Sequence, residues 1–168
     1  MMLRHTFAVL LTFATVALGA TAANAAPREL YGKSIVVTWT EERVQEIKGS
    51  FKPALRNGTF TVYVSTAGNI FKRNTMGRNS DERVGSEAHD RVSFAGRTLI
   101  VIQNWSQYGA RRIQVIFDQG FTSCSADVVR GKETGAAVIQ GSHGAIIQSV
   151  KTTGVSCSLR DGNVFAGG

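Results

Sequence analysis

Apolar and polar side chains alternate at every second residue through most of the chain after residue 33, and this period predicts strands rather than helices. In residues 59–66, TFTVYVST, Phe60, Val62 and Val64 fall on one face, and Thr59, Thr61, Tyr63 and Ser65 on the other. Residues 34–40, SIVVTWT, put Ile35, Val37 and Trp39 in one phase and are almost wholly β-branched and aromatic, a composition that suits a half-buried pleated surface. Ala67-Gly68-Asn69 supplies residues that tolerate a turn, and IFKR follows as a returning strand. RVSFAGRTLIVIQNW reads as two strands broken near Ala95-Gly96, with the run 99–102 apolar enough for burial on both faces. RRIQVIFD places Ile113, Val115 and Phe117 in phase, Gln119-Gly120 turns the chain into FTSCSADVV, and AIIQSVKTTGVSCSLRDG closes as one bent strand or two short ones.

These segments amount to seven to nine strands separated by short turns, with no amphipathic helix. EERVQEIKG is the ambiguous stretch, because Val44 and Ile47 fit a helical spacing yet could equally prolong the first strand. Sequential strands usually pair, so the expected fold is all-β, a single antiparallel meander. A meander must protect its edges, and closing into a barrel does so directly. A two-sheet sandwich is the alternative. Two segments lack strand character: residues 74–90, charged and rich in small polar side chains, and residues 130–145, with four glycines. A loop as long as the first is uncommon unless it binds something or moves. The glycine-rich tail GNVFAGG is expected to fray.

The amino terminus changes the picture of where this domain works. One arginine, an apolar run from Phe7 to Leu18 and the small-residue end Ala23-Asn24-Ala25 have the form of a secretory signal peptide. Cleavage after Ala25 is expected. An uncleaved anchor is the alternative, since residues 6–27 are uncharged and nominally long enough to span a bilayer. The remaining 143 residues (26–168) suit one domain with its own core. The expected location is secreted or periplasmic, in a bacterium, with no membrane span left after cleavage. The formal charge of the whole chain is +7, which favours anionic partners. The basic residues are scattered and form no run of five, so no specific nucleic-acid recognition is expected.

Chemistry-bearing residues are few. The only two cysteines, Cys124 and Cys157, each stand between serines and in phase with apolar neighbours, so both thiols should face the interior and the serines the solvent. Such a thiol is a poor nucleophile. A zinc site would have only His89 and His143 to complete it. In an exported chain the pair is expected to form a disulfide, and no metal or cofactor is expected. Glu41, Glu42 and Glu46 cluster after the first strand, and paired carboxylates are what glycoside hydrolysis requires. Beside Arg43 and Lys48 they read more simply as a charge-paired, solvated strand end. Gly131-Lys132-Glu133-Thr134 fails as a phosphate-binding loop, because the glycine and the hydroxyl residue that the pattern needs are absent.

The aromatics that alternation assigns to strands are expected to pack the core. Trp105 and Tyr108 differ, because NWSQYGARR reads as a hairpin turn, and Arg111 and Arg112 follow at once. Trp105, Tyr108, Arg111 and Arg112, with the segment 74–90, are therefore the candidate ligand site. The expectation is a non-enzymatic binding module for an anionic or amphipathic small molecule or an anionic surface. The alternatives are a cell-envelope polymer hydrolase using Glu42 or Glu46, and a structural or assembly protein that contacts partners through a basic surface or a sheet edge.

Overall fold

A computed structural model describes residues 25–76, 79–83, 90–104, 110–130, 139–140 and 146–165. After a single 3₁₀ turn at Arg28–Leu30 come ten strands: β1 (Lys33–Ile47), β2 (Ser50–Val64), β3 (Ile70–Met76), β4 (Asn79–Arg83), β5 (Asp90–Ala95), β6 (Thr98–Asn104), β7 (Ala110–Phe117), β8 (Cys124–Arg130), β9 (Ile139–Gln140) and β10 (Ile146–Asp161). They form two antiparallel sheets, one ordered β4-β3-β2-β1-β10-β9 and the other β5-β6-β7-β8. The all-β, antiparallel fold is as expected, but it is not one meander, since β10 lies beside β1 and the strands divide between two sheets. Nor does it close into the expected barrel: among the described residues no ladder joins the two sheets, and the molecule is the two-sheet sandwich. Two bulky apolar inner faces bury each other without closure. The larger sheet guards its edges instead by making them short, five residues in β4 and two in β9.

The core follows the period-two pattern closely. Ile35, Val37 and Trp39 of β1 and Phe60, Val62 and Val64 of β2 face Phe94, Leu99, Val101, Ile113, Val115, Phe117 and Val128 of the smaller sheet. Ile100 and Ile102, expected to be buried with their neighbours, lie half-buried on the outer face, because only one side of β6 is covered. EERVQEI continues β1, and Lys48-Gly49, both at positive φ (50° and 74°), turns the chain tightly into β2. Residues 74–90 are not one loop: 74–76 complete β3, 79–83 form β4 and Asp90 opens β5. Hydrophobic alternation cannot reveal a strand such as NSDER, whose register sets Arg73 opposite Glu82 and Asn74 opposite Asp81.

Two local devices shape the ends. Asp118 accepts hydrogen bonds from the Thr122 backbone N–H (2.7 Å), the Thr122 hydroxyl (2.6 Å) and the Ser123 backbone N–H (3.1 Å). These bonds hold its pKa down to about 2 and close the β7–β8 turn, where Phe121 sits at φ 52° with its ring 5.4 Å from that of Phe117. At the other terminus the Ser34 hydroxyl donates to the Gly162 carbonyl (2.7 Å), and the Arg73 guanidinium lies 4.8 Å from the Phe165 ring. These contacts lay residues 162–165 on the outer face of the larger sheet.

The disulfide forms as expected. Cys124 of β8 and Cys157 of β10 are bonded with their Cα atoms 5.6 Å apart, both packed against the core, while Ser123, Ser125, Ser156 and Ser158 are exposed. The bond therefore joins the two sheets where no hydrogen-bonded ladder does. The Cys124→Ser, Cys157→Ser double variant should lose about 3 kcal/mol of stability, measured as a shift in denaturant midpoint, because the bridge closes a loop of some 34 residues in the unfolded chain.

Candidate functional site

The two-residue period that builds the core does not stop where the apolar residues stop. Continued along β1, the inward phase after Trp39 reaches Glu41 and Arg43; on β6 it passes from Val101 to Gln103, on β7 from Ile113 back to Arg111, and on β8 from Val128 to Arg130. All these polar side chains meet between the sheets at one end of the sandwich. The described strand ends at this place are Asp90 of β5, Asn104 of β6, Ala110 of β7 and Arg130 of β8.

Glu41 is the hub. Its Oε1 accepts from Arg111 Nη2 (2.6 Å) and from the Trp39 indole N–H (3.2 Å), and its Oε2 from Arg43 Nε (2.8 Å), Arg43 Nη2 and Arg130 Nη1 (3.1 Å). The carboxylate has no solvent exposure and Arg111 only 1%. Arg111 reaches further, donating to Gln103 Oε1 (3.0 Å), and Gln103 in turn donates to Asp90 Oδ1 (3.4 Å). The Arg111 guanidinium also stacks 4.7 Å over the Trp39 ring, a cation–π contact. Gly58 leaves room for that ring: a Cβ there would come within 2.3 Å of the indole.

The charges shape one another unequally. Burial alone pushes the Glu41 carboxyl up, but Arg111, Arg130 and Arg43 together outweigh it and bring its pKa from 4.5 down to about 2. Burial, joined by the neighbouring Arg130 and Arg43 guanidinium groups, outweighs the support of the Glu41 carboxylate and brings the Arg111 pKa down to about 10. Both groups therefore stay ionised at neutral pH. A carboxylate held near 2 and saturated by donors is a poor proton donor or acceptor, so the cluster suits holding charge in place rather than proton transfer.

The residues expected to form the ligand site do not gather as the sequence suggests. Arg111 is part of the buried cluster, whereas Arg112, next along β7, points to the opposite face, exposed, with Nη2 4.0 Å from Asp127. Trp105 and Tyr108 lie outside the described residues, in the segment joining β6 to β7. Glu42 is exposed, with Lys151 as its partner across the β1–β10 ladder, and Glu46 accepts from Gln148 Nε2 (2.7 Å). Sequence reasoning missed Glu41 as the distinctive member of its trio, and it also missed Arg130, Arg43 and Gln103. The available signal was a charged residue standing in the core phase of a strand.

Beyond Glu41, β1 and β2 run on to Lys48-Gly49 as an arm, joined by the first residues of β10. Each of the two strands has 15 residues, against seven and eight in β6 and β7, so the smaller sheet backs only part of the hairpin. Register puts Lys52 and Arg56 on the same face of the arm as Gln45 and Glu41, and both cations are exposed. No family model, curated protein or solved structure matches this chain, so the candidate site rests on its own geometry.

Replacing Glu41 by Gln should cost about 3 to 5 kcal/mol in denaturant unfolding, since it leaves a buried guanidinium cluster without its anion. The folded-state pKa of Glu41 lies below its unfolded value, so its contribution is complete above pH 4.5 and is lost as pH falls toward 2. The share of wild-type stability that Glu41 supplies should therefore fall by about 3 kcal/mol across that window, read as the difference between the wild-type and Glu41→Gln acid limbs. The Glu41→Gln variant should show a correspondingly flatter acid limb.

Proposed function

We propose that this protein is a non-enzymatic binding module, exported after removal of residues 1–25, that takes an anionic ligand on the arm at the polar end of the sandwich. One observation carries the reading: Lys48, Lys52 and Arg56 project exposed from a hairpin whose base is anchored by a buried, fully ionised charge cluster. The Arg111–Glu41 pair ties the base of β1 to the smaller sheet, which keeps the arm in a fixed direction and lowers the ordering cost of binding. Exposed cations on a held framework suit a surface or polymer of repeated negative charge better than one small anion. Small-anion sites close around their ligand.

The non-catalytic reading is supported by the state of the carboxylates. Glu41 is engaged by its donors, and Glu42 and Glu46 stand on the outer, solvent-facing side of the arm. Export is supported by the leader-like start and by the disulfide, which persists in oxidising compartments. Among the described residues no helix is long and apolar enough to cross a membrane.

Inorganic polyphosphate serves as a test ligand. The Lys52→Ser, Arg56→Ser double variant should bind it about tenfold more weakly, with a shallower dependence on salt, while unfolding at the wild-type denaturant midpoint. Arg112→Ser should bind as the wild type does, because its side chain lies on the far face of the other sheet. Equal affinities for the wild type and the double variant would overturn this placement.

A further inference from the structure

The opposite face of the same arm is apolar where a solvent-facing strand is normally polar. Residues paired across an antiparallel ladder share a face, and three successive rows follow from the register. Leu55 and Lys151 flank Glu42, Pro53 and Ser149 flank Val44, and Phe51 and Ile146 flank Glu46. Val44, Phe51, Pro53, Leu55 and Ile146 thus lie together, with Leu55 72% and Phe51 66% exposed. Rows spaced by two residues and strands about 4.8 Å apart make the nine positions span roughly 14 Å by 10 Å before side chains are added, with Leu55, Pro53 and Phe51 running the length of it along β2. Contiguous apolar surface of this kind marks a contact site.

The surrounding charge selects the occupant. Lys48, Lys52, Arg56 and Lys151 stand against Glu42 and Glu46 on the exposed part of the arm, leaving two net positive charges. Glu42 is matched by Lys151 across the ladder, and Glu46 by the Gln148 amide. A second copy would bring an equally basic arm against the first, on a chain that carries +6 (18 basic less 12 acidic residues) once Arg4 leaves with residues 1–25, which like charge opposes. A bilayer with anionic headgroups meets both features: acyl chains accept Phe51 and Leu55, Lys48 in the turn stands next to them, and the long stem of Lys52 lets it reach the phosphates from the opposite face of the hairpin. We infer that the arm is a membrane-surface anchor that seats Phe51 and Leu55 at the headgroup boundary of an anionic bilayer.

This rests on the reading of the arm as an anion-binding element, and the experiment separates the two. Leu55→Cys carrying an environment-sensitive fluorophore is mixed with vesicles of phosphatidylglycerol and phosphatidylethanolamine, with Ile116→Cys, exposed on the other sheet, labelled as the control. The label at 55 should shift to the blue and be quenched by brominated acyl chains, and the label at 116 should not. Replacing Phe51 by Ser should weaken the response at 55 by on the order of tenfold. No shift at 55, or equal shifts at both positions, overturns the membrane inference. If polyphosphate still binds in that event, the anion-binding reading stands and the lipid partner falls; if neither binds, both fall. A shift at 55 that appears without vesicles and grows with protein concentration would make the occupant a second copy and overturn the inference as well.

Discussion

A single carboxylate between two sheets organises one end of this molecule. Glu41 lies on β1, and its donors come from its own strand and from β7 and β8 of the other sheet, so the ion pairs cross the interior of the sandwich. Charges are costly to bury, and they remain here because each finds close, well-directed partners. Removing one partner would leave the others stranded, which makes the cluster a registration device for the two sheets. Specificity of this kind is the best-attested use of a buried polar network.

The opposite side of the sandwich is tied by different means. Cys124 and Cys157 bridge β8 and β10, which touch without sharing a ladder, and the disulfide does covalently what continued pairing would have done in a barrel. The two ties are complementary in kind: one limits the unfolded chain, and the other penalises any folded arrangement that separates the charges. Between them the apolar inner faces need only fill the space, with Trp39 stacked beneath Arg111 where core gives way to cluster.

The arm depends on this arrangement. An isolated two-stranded hairpin is marginal in water, yet β1 and β2 stay paired from the core to Lys48-Gly49 in unbroken register. Three things sustain it: continuity with the packed halves of the same strands, the first residues of β10 as a third strand, and the fixed position of Glu41 at its base. The result is an element with cations on one face and exposed apolar side chains on the other, held out from a rigid body. A freely moving loop would have to be ordered on each encounter, at a cost in affinity.

The strands, their inward faces and the cysteine pair were legible from the sequence because they depend on local alternation, which one chain segment carries by itself. Ile35, Val37, Trp39, Phe60, Val62, Val64, Ile113, Val115 and Phe117 are buried in the phase that alternation assigned, and both thiols face inward among them. A period of two has no information about which strand lies opposite which, so it could not choose between a barrel and a sandwich, nor bring Glu41 to Arg111, 70 residues away. Nor does it recognise a charged edge strand such as β4, whose sequence has no apolar phase to follow. Tertiary structure decided the sheet break, the burial of one glutamate among three that look alike in sequence, and the separation of Arg111 from Arg112 to opposite faces. Each of these depends on the desolvation and pairing of groups distant along the chain, and only the assembled fold brings those groups together.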